Sequence, residues 1–194
     1  MLYLILLLLE IFVLYLLMRK VSNRIFNFIY RITKNKKVTV YIFAVLFLPG
    51  TFVHEMSHFL TALFLLVPVR QIDLMPTFEE GVIKMGSVPI GKTDPLRRTL
   101  IGVAPIIFGL VIIFITTSMA LPVIIHGIIA FEVGNTMFSS KKDLEGSLLV
   151  GIVAVIIYAA LYFLGLRITI NVSMDILQKA DLFLLVPIII DFII

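Results

Sequence analysis

Long apolar runs, separated by short charged or turn-forming stretches, organise this chain. Residues 2–18, LYLILLLLEIFVLYLLM, are apolar except for Glu10 and predict a first membrane-spanning helix. No basic segment precedes them and no small-residue cleavage site follows, so the helix is expected to be retained rather than cleaved as a signal peptide. Residues 19–37 carry seven basic and no acidic residues. Ile25, Phe28, Ile29 and Ile32 share one helical face among those charges, which predicts an interfacial amphipathic helix, with a plain basic loop as the alternative. The apolar stretch 38–66 follows and contains Pro49-Gly50, a pair that permits a kink in a span. Between 67 and 94 the period shortens. Apolar–polar alternation interrupted by Pro and Gly predicts a β-hairpin, with strands near 69–75 and 81–90 and a turn at Thr77-Phe78-Glu79-Glu80-Gly81. Pro95-Leu96-Arg97-Arg98 marks a membrane interface. Further spans are expected at 99–120, 121–138 and 147–166, with a polar break at 139–146. Residues 170–181 look amphipathic. The terminal LFLLVPIIIDFII is too short for an upright span unless its helix starts before Asp181.

Composition fixes the class. Apolar residues make up 61% of the chain and mean hydropathy is +1.15, far above a soluble domain. The expected fold is therefore an α-helical integral membrane protein of about five to six transmembrane helices, with a membrane-associated β-hairpin after the helix of the apolar stretch 38–66. A length of 194 residues leaves no room for a separate soluble module. Cysteine is absent, which excludes disulfides, thiolate ligands and a cysteine nucleophile. The net charge of +4 suits loops at lipid headgroups, and nothing suggests nucleic-acid binding. The basic loop at 19–37 is matched by seven cations on the opposite side, Arg70, Lys84, Lys92, Arg97, Arg98, Lys141 and Lys142, so charge leaves the orientation open.

Inside the apolar stretch 38–66 stands His54-Glu55-Met56-Ser57-His58, an HExxH sequence. Polar groups are costly in hydrocarbon and usually carry function there. Positions i and i+4 share a helix face, so both imidazoles can reach one ion. Glu55, beside the first ligand, is then held next to a water made acidic by the metal. A Lewis acid, an activated water and a general base together predict zinc-dependent peptide hydrolysis. His126, alone in ALPVIIHGIIA, reads as a packed or interfacial residue rather than a ligand.

A catalytic zinc usually has three protein ligands. Counting spans brings Asp143 out on the hairpin side, near the level of the HExxH face, although Asp143-Leu144-Glu145-Gly146 also reads as a solvated turn. Glu132 lies deeper, three turns earlier. The order of elements resembles the site-2 protease family of intramembrane zinc metalloproteases over roughly residues 40–165. In that family an HExxH helix precedes a membrane-associated hairpin, a helix with a Gly-Pro element, and an Asn followed eight residues later by Asp-Gly. Here Asn135 and Asp143 have that spacing, and Gly102-Val103-Ala104-Pro105 is similar to the Gly-Pro element. The prolines of the Asn…Asp motif are missing, Leu144 replaces its Gly, and Phe59 follows the second His where a small residue is usual.

The resemblance implies zinc held by His54, His58 and Asp143, with Glu55 as the base. It implies that Asn135 hydrogen-bonds the substrate backbone or the developing oxyanion, and that the hairpin edge captures an unwound substrate strand. The expected partners are a membrane-anchored protein substrate and the lipid bilayer, in a prokaryotic cell membrane. The corresponding organisation is an N-terminal span and basic segment at 1–37, a metalloprotease core at 38–166 and a C-terminal amphipathic and apolar segment at 167–194. Two alternatives remain: a membrane protease resembling the CAAX protease family with Glu132 as third ligand, and a non-proteolytic metal-binding membrane pseudoprotease.

Overall fold

A computed structural model of the protein describes residues 2–79, 82–84, 86–119, 121–138, 156–157, 159–165 and 174–193. Its elements are α1 (Leu2–Thr33), α2 (Lys36–Leu46), α3 (Leu48–Phe64), β1 (Thr77–Glu79), β2 (Val82–Lys84), α4 (Pro95–Ser118), α5 (Val123–Thr136) and α6 (Met174–Ile193).

The expected first span and the basic interfacial segment are one continuous helix, α1. Nothing between residues 2 and 33 is a Gly or Pro, so no backbone signal stops the helix at residue 18. It ends where Lys34 turns into the left-handed region at φ 52° and Asn35 caps α2, its side chain accepting from the N–H groups of Lys37 (3.0 Å) and Val38 (3.3 Å). The expected kink lies at Phe47, where α2 and α3 meet at a 71° bend. Pro49, in the first turn of α3, lacks the N–H that would bond Val45 and crowds that carbonyl, so one continuous helix is disfavoured here.

α3 stops in a Schellman motif. Leu66 N–H bonds the Leu63 carbonyl (3.0 Å) and Val67 N–H bonds the Ala62 carbonyl (2.8 Å). Leu66 sits at φ 55°, a conformation usually given to Gly, and its side chain is 85% exposed. Leu66→Gly is therefore expected to stabilise the protein by about 1 kcal/mol, because the left-handed strain is removed and little packing is lost. A thermal melt of the two proteins in the same detergent checks this.

Between α3 and α4 the chain doubles back on itself. Thr77–Glu79 pairs antiparallel with Val82–Lys84, and isolated bridges join Asp73 to Ser87 and Val69 to Ile90. From Val69↔Ile90 to Asp73↔Ser87, and again to Thr77↔Lys84, the first strand advances four residues while the second advances three. Each step leaves one extra residue on the first strand, the count of a β-bulge. Thr77-Phe78-Glu79, expected in the turn, is strand, and the ladder expected at 69–75 is reduced to single bridges. Pro68, Pro76 and Pro89 cannot donate to a ladder, which accounts for its interruption.

α4 begins at Pro95, earlier than the expected span. Asp94 caps it, accepting from Arg97 N–H at 3.0 Å. That N–H, with the Arg97 guanidinium at 3.3 Å, holds the Asp94 carboxyl below the usual range. α6 begins at Met174, before Asp181, as the terminal segment required for a longer helix. The main core joins Leu14 and Met18 of α1, Ile113 of α4, Val133 of α5 and Leu184 and Ile188 of α6. The N- and C-terminal segments thus pack into the same core as the central helices. Among the described residues, Pro95–Thr116 is long and apolar enough to cross a membrane, and α2 with α3 passes the same test as a bent pair. α5 has 14 residues, short of the expected 121–138 span. Residues 147–155 of the next expected span lie outside the described residues.

Candidate metal centre

The imidazoles of His54 and His58 stack one helical turn apart on α3, and both are buried, 3% and 5% exposed. Their Nε2 atoms face each other at 3.1 Å, with the rings nearly perpendicular at 86°. Two nitrogens on one tetrahedral zinc stand about 3.3 Å apart, so the pair fits as two ligands of such an ion. Glu55, 7% exposed, follows the first imidazole. Ser57 is fully buried and its hydroxyl donates to the His54 carbonyl at 2.6 Å, which satisfies a polar group the site could not leave unpaired.

His58 is oriented from α4. Its Nδ1 lies 2.8 Å from the Ile101 carbonyl oxygen. A carbonyl only accepts, so Nδ1 carries the proton and Nε2 keeps its lone pair for a metal. That carbonyl is open for a reason visible in the chain. In an α-helix Ile101 C=O bonds the N–H of residue 105, which is Pro105 and has none. Pro105 is fully buried, and the Ile101 side chain packs with Ala62 and Val67 at the end of α3, so the carbonyl is held against His58. The Ala104-Pro105 element thus reaches the imidazole pair through a carbonyl that it leaves unbonded within its own helix.

The strand returning from β2 lies on the same helix face. A Cβ placed on Gly86 would stand 3.0 Å from Glu55 Oε1 and 3.1 Å from Thr51 Cγ2, so any side chain here would press on the Glu55 carboxylate and displace it by a few tenths of an ångström. One turn before His54 on α3, a Cβ on Gly50 would stand 2.5 Å from the Glu132 carbonyl oxygen and 2.6 Å from Thr136 Oγ1. Gly50 therefore sets the contact between α3 and α5. Its backbone N–H, one of the first-turn donors freed by the bend, serves the Glu132 carboxylate. Glu132 is thereby held at the level of Gly50, about 6 Å along the axis from His54 and about 12 Å from His58. Glu132 forms no metal-binding group with the two imidazoles, and its Oε2 is buried without a hydrogen-bond partner among the described residues.

Asn135 is buried on α5. Its Nδ2 donates to Phe131 O at 3.0 Å and to Asp191 Oδ1 on α6 at 2.9 Å. Both partners only accept, so both amide protons are committed. Oδ1 remains, buried and without a partner among the described residues. In this arrangement Asn135 can accept a hydrogen bond but has no proton for an oxyanion. It shares a cavity of about 330 Å³ with Thr51, Thr136, Phe47, Ser22 and Asn23, at the N-terminal end of α3. Asp191 escaped the sequence reading. Its signal was a carboxylate inside the terminal apolar run. His126 contacts the Thr116 carbonyl at the end of α4, a helix-terminal role away from the imidazole pair.

The structure thus brings together His54, Glu55 and His58, and places Asn135 on α5 near the beginning of α3. Asp143 lies outside the described residues. Among the described residues no third His, Cys, Asp or Glu completes a group of three around the imidazoles. Comparison with protein-family models, curated proteins and solved structures finds no match.

Proposed function

We propose that the protein is an intramembrane zinc metalloprotease that hydrolyses peptide bonds in or near transmembrane segments of membrane-anchored proteins. The observation that carries this reading is the buried, facing imidazole pair with Glu55 beside it, in a bundle whose outside is apolar. Ile107, Val111 and Ile115 make an outward stripe on α4, and Val123, Ile124 and Ile128 do so on α5, while His54, Glu55, Ser57, His58, Asn135 and Asp191 are inside. Apolar outside and polar inside suits lipid as the solvent, and a cell membrane as the location.

His54 and His58 would hold the metal, with Asp143 as third ligand from the resemblance to site-2 proteases. When bound, zinc supplies a Lewis acid and makes a water acidic near neutral pH. Glu55 accepts the proton of the attacking water and delivers it to the leaving amine. The Ile101 carbonyl holds His58 in the ligating tautomer. The backbone at Gly86 covers the Glu55 carboxylate and limits the space in which it can swing. A helical substrate must unwind before its peptide bonds are reachable, and the free edge of the 69–90 segment suits an added strand. The acceptor of Asn135 suits a substrate N–H.

The test is proteolysis in reconstituted vesicles. Cleavage of a reporter with one transmembrane segment should stop when zinc is removed by a chelator and return when zinc is restored. Cleavage that persists in the metal-free protein contradicts the reading.

A further inference from the structure

Two buried acceptors where α5 meets α6, Asn135 Oδ1 and Asp191 Oδ2, have no partner among the described residues. Their side chains are already joined, because Asn135 Nδ2 donates to the other Asp191 oxygen at 2.9 Å. The helices that carry them lie in close contact. A Cβ on Gly134 would stand 3.2 Å from Pro187 Cβ, one turn before Asp191. Asn135 is 5% exposed and Asp191 3%, and neither oxygen borders space for a water. No Lys or Arg among the described residues pairs with Asp191. As a carboxylate, Asp191 would keep a full charge inside an apolar bundle on one neutral hydrogen bond, and Asn135 Oδ1 would stay orphaned. Both are costly. One proton on Asp191 Oδ2 relieves both. The group becomes neutral, and it gains a donor that an amide oxygen can accept. Glu132 Oε2 is another unpartnered buried acceptor on α5, one turn earlier, but its carboxyl already takes the Gly50 N–H. Asn135 is the side chain already bonded to Asp191.

We infer that Asp191 is a neutral acid donating from Oδ2 to Asn135 Oδ1, and that this two-point acid–amide pair makes it the positioning residue for Asn135. An amide and a carboxylic acid suit each other in this way, since each presents one donor and one acceptor on a single carbon. Two hydrogen bonds fix the plane of the Asn135 amide where one would leave it free to turn. The last turn of α6 thereby sets the orientation of a side chain on α5. An amide oxygen has two lone pairs, so one acceptor position remains for a substrate N–H. The role towards substrate rests on the metalloprotease reading; the proton on Asp191 does not.

Infrared difference spectroscopy on the full chain in detergent tests the pair without turnover. Isotope-labelled aspartate separates the aspartate bands from those of Glu10 and Glu132. Asp191→Asn should lose the band of a protonated carboxyl group; loss of carboxylate bands instead overturns the inference. Asn135→Ala removes the acceptor, so the same band should move towards the frequency of an acid without a hydrogen bond. In Glu132→Gln it should stay. A band that ignores Asn135→Ala, or that moves in Glu132→Gln, overturns the pairing. Should Asp191→Asn fail to fold, Asp181→Asn removes the other buried aspartate of α6, and an aspartate acid band must remain. In reconstituted vesicles, Asp191→Leu leaves the Asn135 amide untethered and should cut reporter cleavage about 10-fold. Asp191→Asn, whose amide replaces both hydrogen bonds, should keep most of the cleavage at equal zinc content. Unchanged cleavage in Asp191→Leu overturns the positioning role. An acid band that responds to Asn135→Ala in a protein that cleaves nothing removes the protease reading and leaves the pair standing.

Discussion

Replacing Glu55 by Gln is expected to leave zinc bound and to slow peptide hydrolysis by about 10²–10⁴-fold, the range for loss of a positioned general base. Gln keeps the size and most of the shape of Glu, so the close approach of the Gly86 backbone, which leaves 3.0 Å for a Cβ against Oε1, is preserved. His58 keeps its orienting partner, because its Nδ1 lies 2.8 Å from the Ile101 carbonyl oxygen. What disappears is the group proposed to take a proton from the attacking water. Zinc content and turnover therefore separate, and they are measured on one preparation. Turnover equal to wild type at equal zinc content would remove the role assigned to Glu55.

Pro105→Ala should move stability and metal affinity in opposite directions. Within a helix Pro is less favourable than Ala by about 3 kcal/mol. Some of that gain is offset by packing lost around a buried ring, so the metal-free protein should melt higher. The new N–H at position 105 would also bond the Ile101 carbonyl, which now serves His58 Nδ1 at 2.8 Å. A carbonyl can accept twice, but sharing draws it back towards its own helix and loosens the imidazole. Loss of such an orienting partner typically lowers metal affinity by about 10–100-fold. Competition with a chelator of known affinity reads that change. A variant that gains stability and keeps wild-type zinc affinity would show Pro105 to be a packing residue only.

The parts of the site readable from sequence were those governed by local rules. HExxH lies on a helix because i and i+4 spacing is local, and the bend before it followed from Pro49. The Ile101 carbonyl was half legible. The i−4 rule says that Pro105 frees it, but only the packing of α4 on α3 shows that His58 takes it. Asp191 was not legible as a partner of Asn135, since the two are 56 residues apart and join through helix packing. The separation of α1 into a span and an interfacial helix misread a charge boundary as a backbone boundary. Long cations sit on an exposed helix face without ending the helix. The polar residues of Thr77–Glu79 predict a turn, whereas prolines and bulges push the regular ladder to the tip of the paired segment.

Zinc content tests the central claim most directly. Protein purified without chelators should carry about one zinc per chain, and His54→Ala and His58→Ala should each lose it, because the two Nε2 atoms at 3.1 Å are spaced as half of a tetrahedral site would be. Wild-type protein devoid of any transition metal, and unable to take up zinc on titration, would contradict the metalloprotease assignment.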